Sequence, residues 1–163
     1  MEEYLRRVYA GSAEEYARRA EKAMAEGARL FVVTANPEIL MAAGKNPDAR
    51  ALLLDEGTEI VPDGISMVKA MGILGLPVTE RIAGVDLAGK LLQSAGRMGK
   101  SIYLLGAKEE VVSTLAAKLR AQYPGVEVHY HNGYDGDKVR LREEIAALAP
   151  DLVLVGLGVP AQD

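Results

Sequence analysis

Five short apolar runs lie along the chain, separated by longer segments in which apolar residues recur at helical spacing. Each run lacks polar alternation and favours β-branched residues, which is typical of strands buried on both faces. The runs predict strands at residues 30–34, 58–61, 101–105, 126–130 and 152–155.

Helix start and stop signals frame the segments between these runs. Ser12 and Glu15 form a capping box, and Gly27 supplies the stop for the helix that follows Ser12. Two Asn-Pro pairs, at residues 36–37 and 46–47, each place a capping residue before a proline at the first helical position. Apolar spacing predicts further helices at residues 65–74, 86–98, 108–122 and 138–148.

The order of these elements predicts the fold class. Buried strands separated by helices of about ten or more residues indicate a parallel sheet with helices on both faces. We therefore expect a single α/β, Rossmann-like domain over residues 1–163, with residues 1–28 as an N-terminal helical segment. The sequence stops just past its last predicted strand, where a doubly wound domain ordinarily continues, so we expect a C-terminally truncated core.

Composition excludes several classes of protein. A hydrophobic content of 49% with 26% charged residues is typical of globular domains, and a net charge of −4 argues against a nucleic-acid binder. The chain has no cysteine and two histidines, which excludes Cys-ligated zinc and leaves little for a histidine-based metal site. It has no polybasic patch and no apolar run of membrane-spanning length. Any contact with a membrane is therefore expected from residues outside this sequence.

Polar residues directly after the predicted strands are the candidate binding groups, because open parallel sheets bind ligands outside the carboxyl ends of their strands. Asp63, in a Val-Pro-Asp-Gly turn, is a candidate general base. Its structural alternatives are turn chemistry and an N-cap of the next helix. We expect these groups to share one sheet edge: Thr34, Asn36, Glu38, Asp63, Gly106, His131, Asn132, Tyr134 and Gln162.

Three weaker signals each have a structural alternative. Arg81 offers a planar fork to a phosphate, although an exposed surface arginine is an equally good interpretation. Residues 156–161 match a dinucleotide fingerprint, but Pro160 lies inside it and no helix follows. Asp135 and Asp137 resemble the paired carboxylates of metal-nucleotide sites, although Asp137 is also placed to cap a helix. We assign no metal and no cofactor.

Six blocks in order resemble the TagA/WecG family, glycosyltransferase family 26. The resemblance covers about residues 29–163. The blocks are VTANPE at 33–38, VPDG at 61–64, ERIAGVDL at 80–87, YLLG at 103–106, NGY at 132–134 and VGLGVPAQ at 155–162.

This resemblance implies an activity and a place of action. Members transfer N-acetylmannosamine, or its uronic acid, from a UDP-sugar to the 4-hydroxyl of N-acetylglucosamine on undecaprenyl diphosphate. The implied reaction is inverting and metal-independent, at the inner face of the plasma membrane, where the full-length protein would be peripheral. In the TagA branch the product starts the linkage unit of wall teichoic acid, and in the WecG branch it serves enterobacterial common antigen.

The resemblance also implies roles for single residues. The motif aspartate falls on Asp63 as the catalytic base, and Thr34 and Asn36 fall where the family lines the sugar and acceptor pocket. Arg81 falls on an arginine suited to binding diphosphate or donor, and Gln162 on the glutamine of the last motif. The lysine and glutamate beside that glutamine in the family are Ala161 and Asp163 here. The family's C-terminal appendage is absent, so we expect slow or no turnover from these 163 residues.

Other hypotheses remain open from the sequence. The donor could carry a uronic acid or glucose, the chain could be a non-catalytic nucleotide-binding domain, or it could be a nucleotide-dependent oxidoreductase. An uncovered sheet edge and pocket also favour a homo-oligomer.

Overall fold

The computed structural model describes residues 2–157, and the chain divides after Gly89 into two compact units. Both contain helices and parallel strands, so the predicted α/β class is confirmed. The strands of the described residues form two parallel sheets, one in each unit, and one sheet edge shared by the candidate residues of both units stays a prediction. The assignment of residues 1–163 to a single domain stays a prediction.

The first unit contains a two-stranded parallel sheet. Its strands pair from Phe31 with Thr58 to Ala35 with Pro62. The elements of this unit are α1 (Glu2–Leu5), α2 (Ala13–Glu26), β1 (Phe31–Ala35), α3 (Pro37–Ala43), α4 (Pro47–Leu54), β2 (Thr58–Pro62) and α5 (Ile65–Ile73), and α6 (Gly84–Met98) crosses into the second unit.

Residues before β1 are part of the core of this unit. Val8 forms a parallel bridge to Ile60 on β2, so β2 has neighbours on both edges. The side chain of Tyr16 on α2 is fully buried, and its hydroxyl donates to Glu59 Oε2 at 2.9 Å. Burial, together with the Glu59 carboxylate, raises the pKa of Tyr16. The capping box at Ser12 and Glu15 forms as predicted, and Gly27 ends α2 in the left-handed region.

The second unit is a three-stranded parallel sheet with β3 in the centre. Both edges of β3 are occupied, one by β4 and one by β5. The elements are β3 (Ile102–Gly106), α7 (Glu109–Gln122), β4 (Val128–His131), α8 (Lys138–Leu148) and β5 (Leu152–Gly156).

None of the helices among residues 2–157 is long and apolar enough to cross a membrane. α8 has no buried residue, and it is held to the sheet by a polar contact in which Tyr103 Oη donates to Glu144 Oε1 at 2.9 Å. Burial, reinforced by that carboxylate, raises the pKa of Tyr103 to about 12.

A polar clamp joins β3 and β5 at their amino-terminal ends. Asp151 Oδ2 accepts from the backbone N–H and the hydroxyl of Ser101, each at 2.9 Å, and Lys100 Nζ lies 3.2 Å from Oδ1. The Ser101 backbone amide is the largest influence and lowers the pKa of Asp151, with the hydroxyl and the ammonium adding to it. The folded chain therefore stabilises the charged form of the Asp151 carboxyl group.

This clamp predicts an acid-sensitive contribution to stability. Since the folded pKa of Asp151 is lowered, its stabilisation is present above the unfolded carboxyl pKa and disappears as pH falls through the folded value. In urea titrations, Asp151→Asn should lower the free energy of unfolding at neutral pH and leave it less dependent on pH in the acid range. Glu56→Gln, at an exposed turn, is the control. If the free energy of unfolding fell equally with acid in the Asp151 variant and in the unmodified chain, the Asp151 carboxylate would not be the source of the acid-sensitive stability.

Candidate active site

The backbone at Asp63 is fixed from two sides at the carboxyl end of β2. The Asp63 N–H donates to the carbonyl of Ala35, the last residue of β1, at 2.8 Å. The carbonyl of Pro62 accepts from Ile82 N at 2.8 Å. Gly64 follows with a φ of 105°, a backbone conformation that favours glycine and turns the chain into α5. The Val-Pro-Asp-Gly sequence therefore holds the aspartate at a defined place on the sheet edge.

The Asp63 carboxylate has two partners from the segment that leads into α6. Oδ2 accepts from the N–H of Gly84, the first residue of α6, at 3.0 Å, and Oδ1 lies 3.4 Å from Arg81 Nε. The side chain is 28% exposed. A carboxylate at a helix N-terminus interacts favourably with the exposed amides and the helix dipole. Asp63 is thus a cap of α6, whereas the structural alternative considered from the sequence was a cap of the helix directly after it.

Gly84 brings Thr34 close to this carboxylate. A Cβ placed on Gly84 would lie 2.9 Å from Thr34 Oγ1 and 3.1 Å from its Cβ and Cγ2. Any larger residue would therefore push β1 and the start of α6 apart. The structure confirms that Thr34 and Asp63 flank the same point of the sheet edge.

Arg81 lies in a loop that the N-terminal segment anchors. Its side chain is 48% exposed. On the preceding residues, Glu80 Oε1 accepts from the N–H of Ala13, the first residue of α2, at 2.6 Å, and the Thr79 hydroxyl donates to the carbonyl of Ala10. The residues before β1 thus fix the loop that places Arg81 beside Asp63.

Asn36 is the N-cap of α3, as its structural alternative predicted. Its Oδ1 accepts from Ile39 N at 3.0 Å, and its side chain is partly buried. The cap uses the carbonyl oxygen, and Asn36 Nδ2 donates to no atom of residues 2–157. The residue can therefore cap the helix and still offer an amide donor to a ligand.

The strand ends of the second unit form a polar turn. Asn132 Oδ1 accepts from Tyr134 N and Asp135 N, each at 2.9 Å, and its Nδ2 donates to Glu109 Oε2 at 3.2 Å. His131 Nδ1 lies 2.8 Å from the carbonyl of Asn132. Tyr134 is 76% exposed. The hydrogen bonds of Asn132 shape the turn.

The remaining sequence candidates have simpler outcomes. Asp137 caps α8 through Val139 N at 2.9 Å, which confirms its structural interpretation. Within residues 2–157 no group of three acidic or histidine side chains is arranged to hold a metal ion. Gln162 lies outside the described residues, as does most of the 156–161 glycine motif.

Sequence comparison agrees with this arrangement of blocks. The profile described as the Glycosyl transferase WecG/TagA/CpsF family matches residues 4–163, nearly the entire sequence. The chain belongs to the WecG/TagA/CpsF family. The resemblance found in the six blocks is thereby confirmed, and the match begins well before them, in the N-terminal segment that anchors the Arg81 loop.

Curated relatives of this WecG/TagA/CpsF member share one name, N-acetylglucosaminyldiphosphoundecaprenol N-acetyl-beta-D-mannosaminyltransferase. The protein of Bacillus spizizenii is 39% identical over 82% of this chain and 52% of its own length. That of Bacillus subtilis is 36% identical over 81% of the chain and 52% of its own length, and that of Staphylococcus aureus 36% over 82% and 53%. The chain spans about half the length of the curated relatives it matches.

Two residues that position the candidate site of this WecG/TagA/CpsF member were missed by sequence reasoning. Gly84 and Glu80 entered only as members of the ERIAGVDL block at 80–87, and neither received a role. Their partners, Thr34 and Ala13, lie 50 and 67 positions away along the chain. A local signal existed only for Gly84, because a glycine at the start of a long amphipathic helix marks a close backbone approach.

Proposed function

We propose that this chain carries the catalytic core of an inverting glycosyltransferase. The enzyme moves N-acetylmannosamine from UDP-N-acetylmannosamine to the 4-hydroxyl of N-acetylglucosamine on undecaprenyl diphosphate, the step that starts the linkage unit of wall teichoic acid. The observation that carries the proposal is the partly exposed Asp63 carboxylate, which Gly84 and Arg81 hold beside Thr34. The shared name of the three relatives supports the sugar and the lipid-linked acceptor.

Asp63 is the proposed general base. It takes the proton of the acceptor hydroxyl while that oxygen bonds to the anomeric carbon of the donor. The bond from that carbon to the UDP oxygen breaks, UDP leaves with the electron pair, and the configuration inverts. Oδ1 suits the proton transfer because its Arg81 contact is long, at 3.4 Å, whereas Gly84 binds Oδ2 at 3.0 Å. Each carboxylate oxygen also has a second lone pair for the substrate.

Arg81 is the proposed partner of the UDP diphosphate. A departing diphosphate needs positive charge, and a guanidinium binds phosphate oxygens in a planar fork. The half-exposed Arg81 is accessible to such a group and already sits beside the base. Thr34 and Asn36 are assigned to the sugar pocket, and Gln162 keeps the substrate-binding role that the family resemblance gave it. The full-length enzyme would act peripherally at the inner membrane face.

Calorimetric titration with UDP tests this proposal. UDP should bind without a divalent ion, and Arg81→Ala should weaken binding about tenfold or more, because hydrogen bonds to charged groups contribute about 1.5–3 kcal/mol. Arg18→Ala is the matched control, since Arg18 forms an exposed pair with Glu14 on α2. That variant should bind UDP with unchanged affinity.

Three results would contradict the proposal in different ways. Binding that requires a divalent ion would favour a metal-dependent site. Binding of NAD in place of UDP would favour the oxidoreductase. UDP binding without transfer in a single-turnover assay would leave a non-catalytic nucleotide-binding domain.

A further inference from the structure

Large aliphatic side chains are exposed on α5, which follows Asp63, and at the start of α6, which Asp63 caps. Ile65, two residues after Asp63, is 62% exposed, and Val85, next to the Gly84 amide that binds Asp63, is 77% exposed. Ile73 and Leu74, at the end of α5, are 86% and 51% exposed. Single exposed aliphatic residues are ordinary, but here two of them, Ile65 and Val85, adjoin the residues that hold Asp63, and two more lie further along α5 from Ile65. We call Ile65, Ile73, Leu74 and Val85 the apolar rim.

The geometry of α5 separates a core face from an outer face. Met67 and Met71 are buried in the core of the first unit, while Ile65, Lys69 and Ile73 follow at a spacing of four residues and are exposed. Residues four apart lie on one face of a helix. The chain then turns at Gly75.

Other apolar residues close to the end of α5 do pack against the core. Leu76 and Val78, just after the turn, pack against the core cluster, whereas Ile73 and Leu74 at the helix end stay outside it. The outer face is therefore an apolar surface in its own right.

The charge of this segment is also distinctive. In residues 64–79 the only charged side chain is Lys69, which lies on the exposed face between Ile65 and Ile73. A lone cation among aliphatic side chains suits the boundary between lipid headgroups and acyl chains, where the ammonium meets phosphates and the aliphatic groups leave water.

We propose that the apolar rim, with Lys69, is a membrane-contact surface that seats the candidate base against an anionic lipid bilayer. This inference rests on the proposed function, because an acceptor linked to undecaprenyl diphosphate is held by its lipid at the bilayer surface. Ile65 and Val85 adjoin the residues that hold Asp63, so this end of the rim brings the lipid headgroup layer to the residue that activates the acceptor. The sequence had assigned any membrane contact to residues outside this chain.

Co-sedimentation with vesicles of phosphatidylglycerol and phosphatidylcholine tests the surface. The unmodified chain should bind these vesicles, and Ile73→Glu should lower the partition coefficient about tenfold or more, because it removes an inserted aliphatic group and adds a repelled charge. Val111→Glu is the matched control, as Val111 is a 56% exposed aliphatic residue on α7. It should bind like the unmodified chain, and circular dichroism should show both variants folded.

Lys69→Glu tests the charge separately. On vesicles containing phosphatidylglycerol it should weaken binding at least about fivefold, since one basic residue near an anionic surface contributes about that factor. On vesicles of phosphatidylcholine alone the effect should be much smaller.

Several results would contradict the proposal that the apolar rim is a membrane-contact surface. The unmodified chain could fail to sediment with either vesicle, or Ile73→Glu could bind as well as the control. Ile73→Glu could instead split a dimer in sedimentation velocity without changing vesicle binding, which would make the rim a contact between copies. UDP titration is an independent measurement. If the unmodified chain binds UDP but not vesicles, the membrane-contact surface is refuted and the proposed function is not.

Discussion

Asp63→Asn is expected to lower the rate of sugar transfer by about 100-fold or more, because a positioned general base contributes about 10²–10⁴. The amide can still accept the Gly84 N–H through its oxygen, so the folded structure and the Thr34 contact should persist. The loss should therefore fall on the chemical step, with UDP affinity within about twofold of the unmodified chain. The measurement is single-turnover transfer from UDP-N-acetylmannosamine to a lipid-linked acceptor. The chain is in excess over the acceptor, so that a slow transfer rate can still be measured.

The control is Asp137→Asn, which changes an exposed aspartate that caps α8. Asparagine is an equally good N-cap, so this variant should keep both transfer and stability. Equal losses in the two variants would indicate a general effect on folding. Full transfer by Asp63→Asn would remove Asp63 as the base and leave it only as the cap of α6.

Gly106→Ala should cost about 3–5 kcal/mol of folding stability, the largest structural effect that we expect in this chain. Gly106 ends β3 with a φ of 129°, which a side chain rarely adopts. A Cβ there would also lie 2.3 Å from the carbonyl oxygen of Gly156 and 2.6 Å from its carbon. These are backbone atoms of β5, so the clash cannot be relieved by rotating a side chain. In thermal melts the midpoint should fall by about 10 °C or more.

Gly156→Ala provides the matched control for that prediction. Gly156 pairs with Gly106 across the two strands, yet among residues 2–157, apart from its two chain neighbours, the nearest atom to a Cβ placed on it is Leu105 O at 4.0 Å. Its stability should change by less than about 1 kcal/mol. If both alanine variants melted alike, the strand ends would be looser than the structure shows.

Local features of this chain were predictable because they depend on residues only a few positions apart. The capping box at Ser12, the cap at Asn36 and the cap at Asp137 all form where the sequence places them. The five apolar runs likewise become strands, with ends shifted by one or two residues. A capping oxygen and the amide that donates to it lie within one helical turn, so their hydrogen bond does not depend on the rest of the fold.

The candidate site was predictable only in part. The strand-end position of Asp63 followed from the sequence, and its chemical role came from the family resemblance. The structure supplied the partners of Asp63: Arg81 and Gly84 lie 18 and 21 positions from it along the chain. Glu80 accepts from the N–H of Ala13, which lies 67 positions away. No sequence spacing encodes such contacts, because the path of the chain between them decides whether they meet.

By itself, the sequence determined the α/β class, the order of the elements, the caps and the aspartate at a strand end. Tertiary structure decided that the strands form two sheets, that Asp63 caps α6 and not α5, and that Gly106 tolerates no side chain while Gly156 does. The physical reason is the range of the forces involved. Helix caps and buried strands are set by neighbouring residues, whereas a carboxylate's partner and the space beside a glycine are set by backbone brought from distant parts of the chain.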